Sequence, residues 1–208
     1  VTLIGGSDIS MINLFAFNSN IYKFIDKSGC ILAVANEAFY GSHLIEFNSP
    51  SVESFGNLAF SECGYLETVI SPSVNSIGND CFAGYNALTS LEFPNIISIT
   101  TTAFFESASL STLSLPNCVT FGDEVCSKCS NLQTVNLPLL TSMGTSCFSY
   151  CDNLTTLNIG NCTDLGGSVL NNYVFFNTFG QTITITIPSD LMTCNGGNPD
   201  GDIQYLQA

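Results

Sequence analysis

LSTLSLPNCVTFGDEVCSKCSN, residues 110–131, decides how this chain is built, because the residues on either side repeat its pattern every 22 positions. The unit reads L-x-x-L-x-L-P, then an apolar residue, then x-x-apolar-Gly, then a short turn carrying Phe or Cys. Leu44, Leu66, Leu88, Leu110, Leu132 and Leu154 stand in one column, and Pro50, Pro72, Pro94, Pro116 and Pro138 in another, with Gly160 in the next Pro place. Phe47, Val69, Leu91, Leu113, Val135 and Leu157 make a third, and Phe60, Phe82, Phe104, Cys126 and Phe148 a fourth. A unit this short cannot bury its own apolar face, so neighbouring units must stack to make a core. The chain is therefore an array.

Within each unit the segment before the proline alternates polar and apolar, as in Thr112-Leu113-Ser114-Leu115 and Thr134-Val135-Asn136-Leu137. That is the period of a half-buried strand, one per unit, stacking into a parallel sheet. Proline ends the strand because it lacks the N–H a ladder needs. Segments such as Val74–Gly78 and Leu140–Gly144 read as a second short extended piece ending at glycine. Asn79–Gly84 then begins with capping-type residues but is too short for a free helix, so a single helical or 3₁₀ turn held by stacking is expected. Gly56, Gly78, Gly122 and Gly144 share a column that Thr100 breaks, which predicts a distorted turn there. The expected fold class is a mainly β solenoid of period 22, with short 3₁₀ or helical turns.

The register divides the chain into four parts. Residues 1–43 are degenerate repeats, in which Ala38-Phe39 precedes Ala59-Phe60 by 21 and Phe17 precedes Phe39 by 22. Residues 44–165 are regular. Residues 166–193 form an irregular repeat: Thr184–Pro188 resembles a strand but arrives six places late, so an insertion rich in Asn and aromatics lies within 167–181. Insertions in arrays map to loops on one face, either filling the core or touching a partner. Residues 194–208 read as a turn-rich cap or linker. The chain opens at Val1 with no initiator methionine, basic n-region or apolar h-region, which reads as a processed product or a fragment.

Seventeen acidic residues face only Lys23, Lys27 and Lys128, with no arginine, for a net charge of −14. Phosphate contacts dominate nucleic-acid affinity and need cations, so nucleic acid is excluded as a partner, as are anionic membrane surfaces. The longest apolar run, Ile31–Ala35, is far short of the roughly 18–20 residues that cross a bilayer. Membrane insertion is not expected.

Leu132–Phe148, together with the entries Cys63–Leu66, Cys129–Leu132 and Cys151–Leu154, resembles the BspA-type leucine-rich repeats. The likeness is strongest over 44–165. It implies a solenoid whose rungs stack into a parallel sheet, and a role outside bacteria, protists or their viruses in attachment to proteins or surfaces.

Catalytic and metal chemistry find little support. Cys126-x-x-Cys129 and Cys147-x-x-x-Cys151 have the spacing of a four-thiolate zinc site, but Cys63, Cys129 and Cys151 share a column, as do Cys81 and Cys147, and Cys118 and Cys162 replace Val52 and Ile96. Small buried thiols explain these places as inward packing. A Cys129–Cys151 bridge between rungs about 4.8 Å apart remains sterically open. His43 falls in a variable turn place, and no G-x-S-x-G elbow accompanies it. Glu46 and Glu92 occupy outward strand places with no aromatic platform between them. Asn198, Asp200 and Asp202 echo a calcium loop without its distal glutamate. No phosphate-cradling loop is present, so no cofactor is assigned and no enzyme activity is expected.

The informative surface is the outward side of the strands. Its two columns run Glu46, Thr68, Ser90, Thr112, Thr134, Thr156 and Asn48, Ile70, Glu92, Ser114, Asn136, Asn158. A solvated sheet face would also favour threonine. As a recognition face it assigns partner binding to Thr112, Ser114, Thr134, Asn136, Thr156 and Asn158. Tyr40, Tyr65, Tyr85, Phe105 and Tyr150 on the turns offer a second surface. The resulting expectation is a non-catalytic recognition or adhesion module at a cell or virion surface, binding a host or cell-surface protein or a glycan. The alternative is a spacer in a phage tail or head fibre, one part of a larger multichain assembly.

Overall fold

In a computed structural model, the residues described are 2–3, 11–12, 21–162 and 184–186. They form sixteen short strands: β1 Thr2–Leu3, β2 Met11–Ile12, β3 Lys23–Asp26, β4 Ala33–Val34, β5 Glu46–Asn48, β6 Ser54–Phe55, β7 Thr68–Ile70 and β8 Ser76–Ile77, then β9 Ser90–Glu92, β10 Ser98–Ile99, β11 Thr112–Ser114, β12 Thr120–Phe121, β13 Thr134–Asn136, β14 Ser142–Met143, β15 Thr156–Asn158 and β16 Thr184–Thr186. From β1 to β15 odd strands pair in parallel with odd and even with even, so each turn of the chain gives one strand to each of two walls, and β16 joins the first wall beside β15. Thr112 lies beside Thr134 and Thr120 beside Ser142, the 22-residue register expected. Thr156 lies beside Thr184, an offset of 28 that contains the six extra residues. The aromatics placed in that insertion, Tyr173, Phe175, Phe176 and Phe179, lie outside the described residues, as does the 194–208 tail.

In the turn that carries β3 and β4 the offsets change. Lys23 pairs with Glu46, 23 places on, whereas Ala33 pairs with Ser54, 21 places on. Two residues are therefore added between β3 and β4, and they are accommodated by a turn around Asp26. Its carboxylate accepts the Ser28 N–H at 2.8 Å and the Ser49 hydroxyl at 2.9 Å. This shift explains why the repeat is hard to read before residue 44.

Alternation along each strand puts one side chain inward. Phe47, Leu113, Val135 and Leu157 are fully buried, and the inward residues of the second wall, such as Phe55, Ile77 and Phe121, meet them across the core. Between the walls runs a column of stacked rings, with Phe39 to Phe60 at 5.3 Å and Phe60 to Phe82 at 5.2 Å between centroids. Burying one such ring contributes about 1.5–3 kcal/mol, and stacking adds to it.

The turns are neither α-helical nor 3₁₀ among the described residues, unlike the single helical turn expected. Two residues per turn are left-handed instead, four apart: Glu37 and Gly41, Leu58 and Glu62, Thr102 and Glu106, Glu124 and Lys128, Ser146 and Tyr150. Alternate N–H groups then point along the array, as in Phe104 to Val125 O at 2.9 Å and Glu106 to Ser127 O at 2.9 Å. A helical turn would turn those donors back on their own rung. The inter-rung ladder satisfies more buried backbone and wins.

Glycine sets how closely rungs approach where the second wall meets the turn. A Cβ on Gly56 or Gly78 would lie 2.5 Å from the backbone nitrogen of Asn36 or Asn57, and one on Gly144 would lie 2.6 Å from that of Asp123. Their own N–H groups bond the rung before, Gly78 to Phe55 O at 2.9 Å and Gly122 to Ile99 O at 3.0 Å. At Thr100 the side chain intervenes, and Oγ1 donates to Ile77 O at 3.1 Å in place of the backbone. Both walls part here. Among the described residues, no strand pairing joins β7 to β9 or β8 to β10. Val69 is only half-buried, and the ring spacing widens to 5.8 Å between Phe82 and Phe104. The turn after Thr100 keeps the regular left-handed pair, Thr102 and Glu106, so in place of the distorted turn anticipated there the structure has a seam in the strand pairing of both walls.

Candidate functional site

Thr112, Thr134 and Thr156 lie side by side on the outward face of β11, β13 and β15, and Ser114, Asn136 and Asn158 form the neighbouring row. The structure therefore brings all six together. Pairing to both neighbours fixes the backbone, and the Asn158 amide donates to Asn136 Oδ1 at 2.8 Å, locking the second row further. Thr112 and Thr156 are exposed, while Ser114, Thr134, Asn136 and Asn158 are half-buried. Short side chains on a rigid face lose little rotamer freedom on contact, which favours binding without requiring a deep pocket.

Size constrains what this face can hold. Five strands about 4.8 Å apart and three residues long cover roughly 240 Å². A standard protein partner covers about 800 Å² per side. The six residues can thus anchor a larger footprint but cannot compose one alone. The face is uncharged from β11 to β15, whereas Glu46 on β5 pairs with Lys23 at 2.8 Å and Glu92 on β9 is exposed. The two glutamates are separated by β7 and face solvent, an arrangement unlike the enclosed carboxylate pair of a glycoside hydrolase.

Tyr40, Tyr65 and Tyr85 are more than half exposed. His43 stacks on Tyr65 with centroids 5.3 Å apart, as a surface turn residue. Further along, Phe105, Glu124, Ser127, Lys128, Ser146, Ser149 and Tyr150 line a shallow hollow of about 260 Å³. Lys128 sits 4.8 Å from the Phe105 ring centroid and pairs with Glu106 at 2.6 Å. Sequence reading passed over this pair. Their spacing of 22 was the available signal, since equal column places lie on adjacent rungs.

The described cysteines are free thiols. Cys129 donates to Phe104 O at 3.0 Å, Cys147 to Gly122 O at 3.0 Å and Cys151 to Cys126 O at 3.1 Å, so each points at a backbone oxygen one rung back. Among the described residues, no three His, Cys, Asp or Glu side chains are grouped as metal ligands. Burial pushes the Cys118 thiol up to about 11 and the Cys147 thiol up to about 12. Such thiols are packing groups and poor nucleophiles. The residues of the echoed calcium loop, Asn198, Asp200 and Asp202, lie outside the described residues.

Two walls of parallel strands with a 22-residue register and inward leucines define a leucine-rich-repeat solenoid. The BspA type leucine rich repeat region matches in six copies over residues 2–67 and 53–178, and the chain belongs to that family. Two solved structures share the fold. A leucine rich cell surface protein of Faecalibacterium prausnitzii A2-165 superposes with a TM-score of 0.68 at 22% identity, covering 91% of this chain and 53% of its own. A leucine rich repeat protein of T. pallidum gives a TM-score of 0.52 at 20% identity, covering 64% of this chain and 78% of its own. The chain thus spans about half the length of the first of these. No curated protein matches it.

Proposed function

We propose that this chain is a non-catalytic recognition module displayed at a cell surface, binding a protein or glycan through the outward face of β9, β11, β13, β15 and β16. The observation that carries this reading is the in-register, uncharged double row of Thr112, Thr134, Thr156 and Ser114, Asn136, Asn158 on a hydrogen-bonded backbone. The family supports it, because stacked repeats present extended binding surfaces. The F. prausnitzii relative, described as a cell surface protein, supports the location.

The test has two parts. Protease treatment of intact source cells should release peptides of this chain before cytoplasmic markers appear. The purified chain should then bind within a panel of extracellular proteins and glycans, and Thr112→Lys with Thr156→Lys should abolish that binding. Both sites are exposed and two rungs apart, so stability should change by no more than about 0.5 kcal/mol. Binding that survives both lysines would place the partner elsewhere. Protection of the chain in intact cells would overturn the surface location.

A further inference from the structure

We infer that the boundary between the β7/β8 turn and the β9/β10 turn is a built-in hinge, where two rigid stacks stay clasped on the turn side and open on the strand side. This goes beyond the recognition reading and does not depend on it. Three observations carry the hinge. Neither wall is paired across the boundary, although every other pair of consecutive turns from β1 to β14 is paired in both walls. Among the described residues, the backbone bonds that cross it are Phe82 to Ala103 O and Gly84 to Phe105 O, each 2.8 Å, and both lie in the turn; beside the strands the crossing bonds come from side chains, Asn95 Nδ2 to Pro72 O at 2.9 Å and Thr100 Oγ1 to Ile77 O at 3.1 Å. The equivalent boundary one turn later is also joined through Ser111 and Thr112 to Thr89 O, Val119 and Thr120 to Ile97 O, and Gly122 to Ile99 O.

The causes are local and lie on both sides of the boundary. Thr100 replaces the glycine of its column, and its Cβ occupies the space where rungs elsewhere meet backbone to backbone. Tyr85 takes the place filled by Cys63, Ser107, Cys129 and Cys151 in other turns, where a short side chain donates inward to a carbonyl one rung back. A phenol ring does not fit there. Tyr85 turns out to 68% exposure, and Asn86 folds in instead, its amide reaching Phe82 O at 2.8 Å and Ser107 Oγ at 3.0 Å. Asn86 Oδ1 then accepts the Leu88 N–H at 3.2 Å, a donor that bonds the backbone at Leu66, Leu110 and Leu132. Gly84 bends to φ +97° to permit this, whereas Glu62, Glu106, Lys128 and Tyr150 in its column lie between 57° and 62°. A conformation at +97° is open to glycine and strained for other residues. Opening the seam parts Thr68 and Ile70 from Ser90 and Glu92, so it changes the outward strand face.

Hydrogen exchange followed by NMR on the intact chain tests this. In the wild type, the Ser90 and Ser98 amides should exchange about tenfold or more faster than those of Thr112 and Thr120, their counterparts one turn on. Thr100→Gly combined with Tyr85→Cys should raise Ser90 and Ser98 protection to the level of Thr112 and Thr120. Thr100→Ala, which keeps the Cβ but loses the hydroxyl, should not. Equal protection at the two positions in the wild type would overturn the hinge, and that comparison stands even if the double variant fails to fold. Equal gains from glycine and alanine would overturn the role given to the Cβ.

Discussion

Replacing Gly144 with alanine should destabilise the solenoid far more than one added methyl suggests. The new Cβ would meet Asp123 N and Gly122 C at 2.6 Å. Both are backbone atoms that cannot swing aside, so the rung must retreat by about 0.8 Å to reach ordinary contact. That retreat stretches the Gly144 N–H bond to Phe121 O, now 2.7 Å, beyond useful length, and loosens the Thr145 N–H bond to Asp123 Oδ1 at 2.8 Å. Two hydrogen bonds at about 1 kcal/mol each, with about 1 kcal/mol of overpacking, outweigh the roughly 0.4–1 kcal/mol that alanine gains through the unfolded chain. The net loss is about 2–3 kcal/mol, or roughly 5–10 °C in Tm. Urea unfolding read by far-UV circular dichroism measures it, since the chain has no tryptophan. Gly64→Ala is the control: its Cβ would lie 3.5 Å from the nearest atom, Tyr85 O, so that variant should be neutral or slightly stabilised. An equal response of the two variants would refute the account of rung spacing.

Three further outcomes follow from the packing and the buried polar groups. Phe60→Ala removes a ring stacked on Phe39 and Phe82, with Phe47 and Phe55 edge-on at 5.0 Å, and should cost about 3–5 kcal/mol in urea unfolding. For Asp26, burial raises the carboxyl, but hydrogen bonds from Ser28, Ser49 and the Gly29 backbone outweigh it and hold the group below its ordinary 3.8. Its contribution is therefore complete above that value and is lost as pH falls through the lower folded value, so Asp26→Asn should flatten the acid limb of a stability–pH curve. Native alkylation at pH 8, mapped by mass spectrometry, should modify half-buried Cys30 while Cys118 and Cys147 react only on unfolding, since thiols near 11 and 12 present about one thiolate in a thousand or fewer.

The solenoid was legible because its core columns are strictly periodic, and Leu113, Val135 and Leu157 fall inward where alternation puts them. Thr100 was legible as a fault because it breaks a glycine column. Its partner fault at Tyr85 was not, because a turn tyrosine resembles the surface aromatics around it, and only the inward bonds of Cys63, Ser107 and Cys129 show that its place needs a short donor. The turn conformation was also hidden. Capping residues suggested a helical turn, but left-handed positions are filled here by Asp, Glu, Leu, Thr, Lys, Ser and Tyr as well as Gly, so composition carries no mark of them. Among the candidate site residues, strand register alone assembles Thr112, Thr134 and Thr156, whereas the Asn136–Asn158 bond depends on rotamers that a sequence does not specify.

The most direct test of the recognition reading is a lysine scan of both walls against one bound partner, measured by calorimetry. Thr112→Lys with Thr156→Lys blocks the first wall, and Ser98→Lys with Ser142→Lys places the same charges on the second, where Ser98 is exposed and Ser142 half-buried. The account predicts that only the first pair removes binding while both proteins unfold at wild-type urea concentrations. Loss of binding through the second pair alone would contradict it.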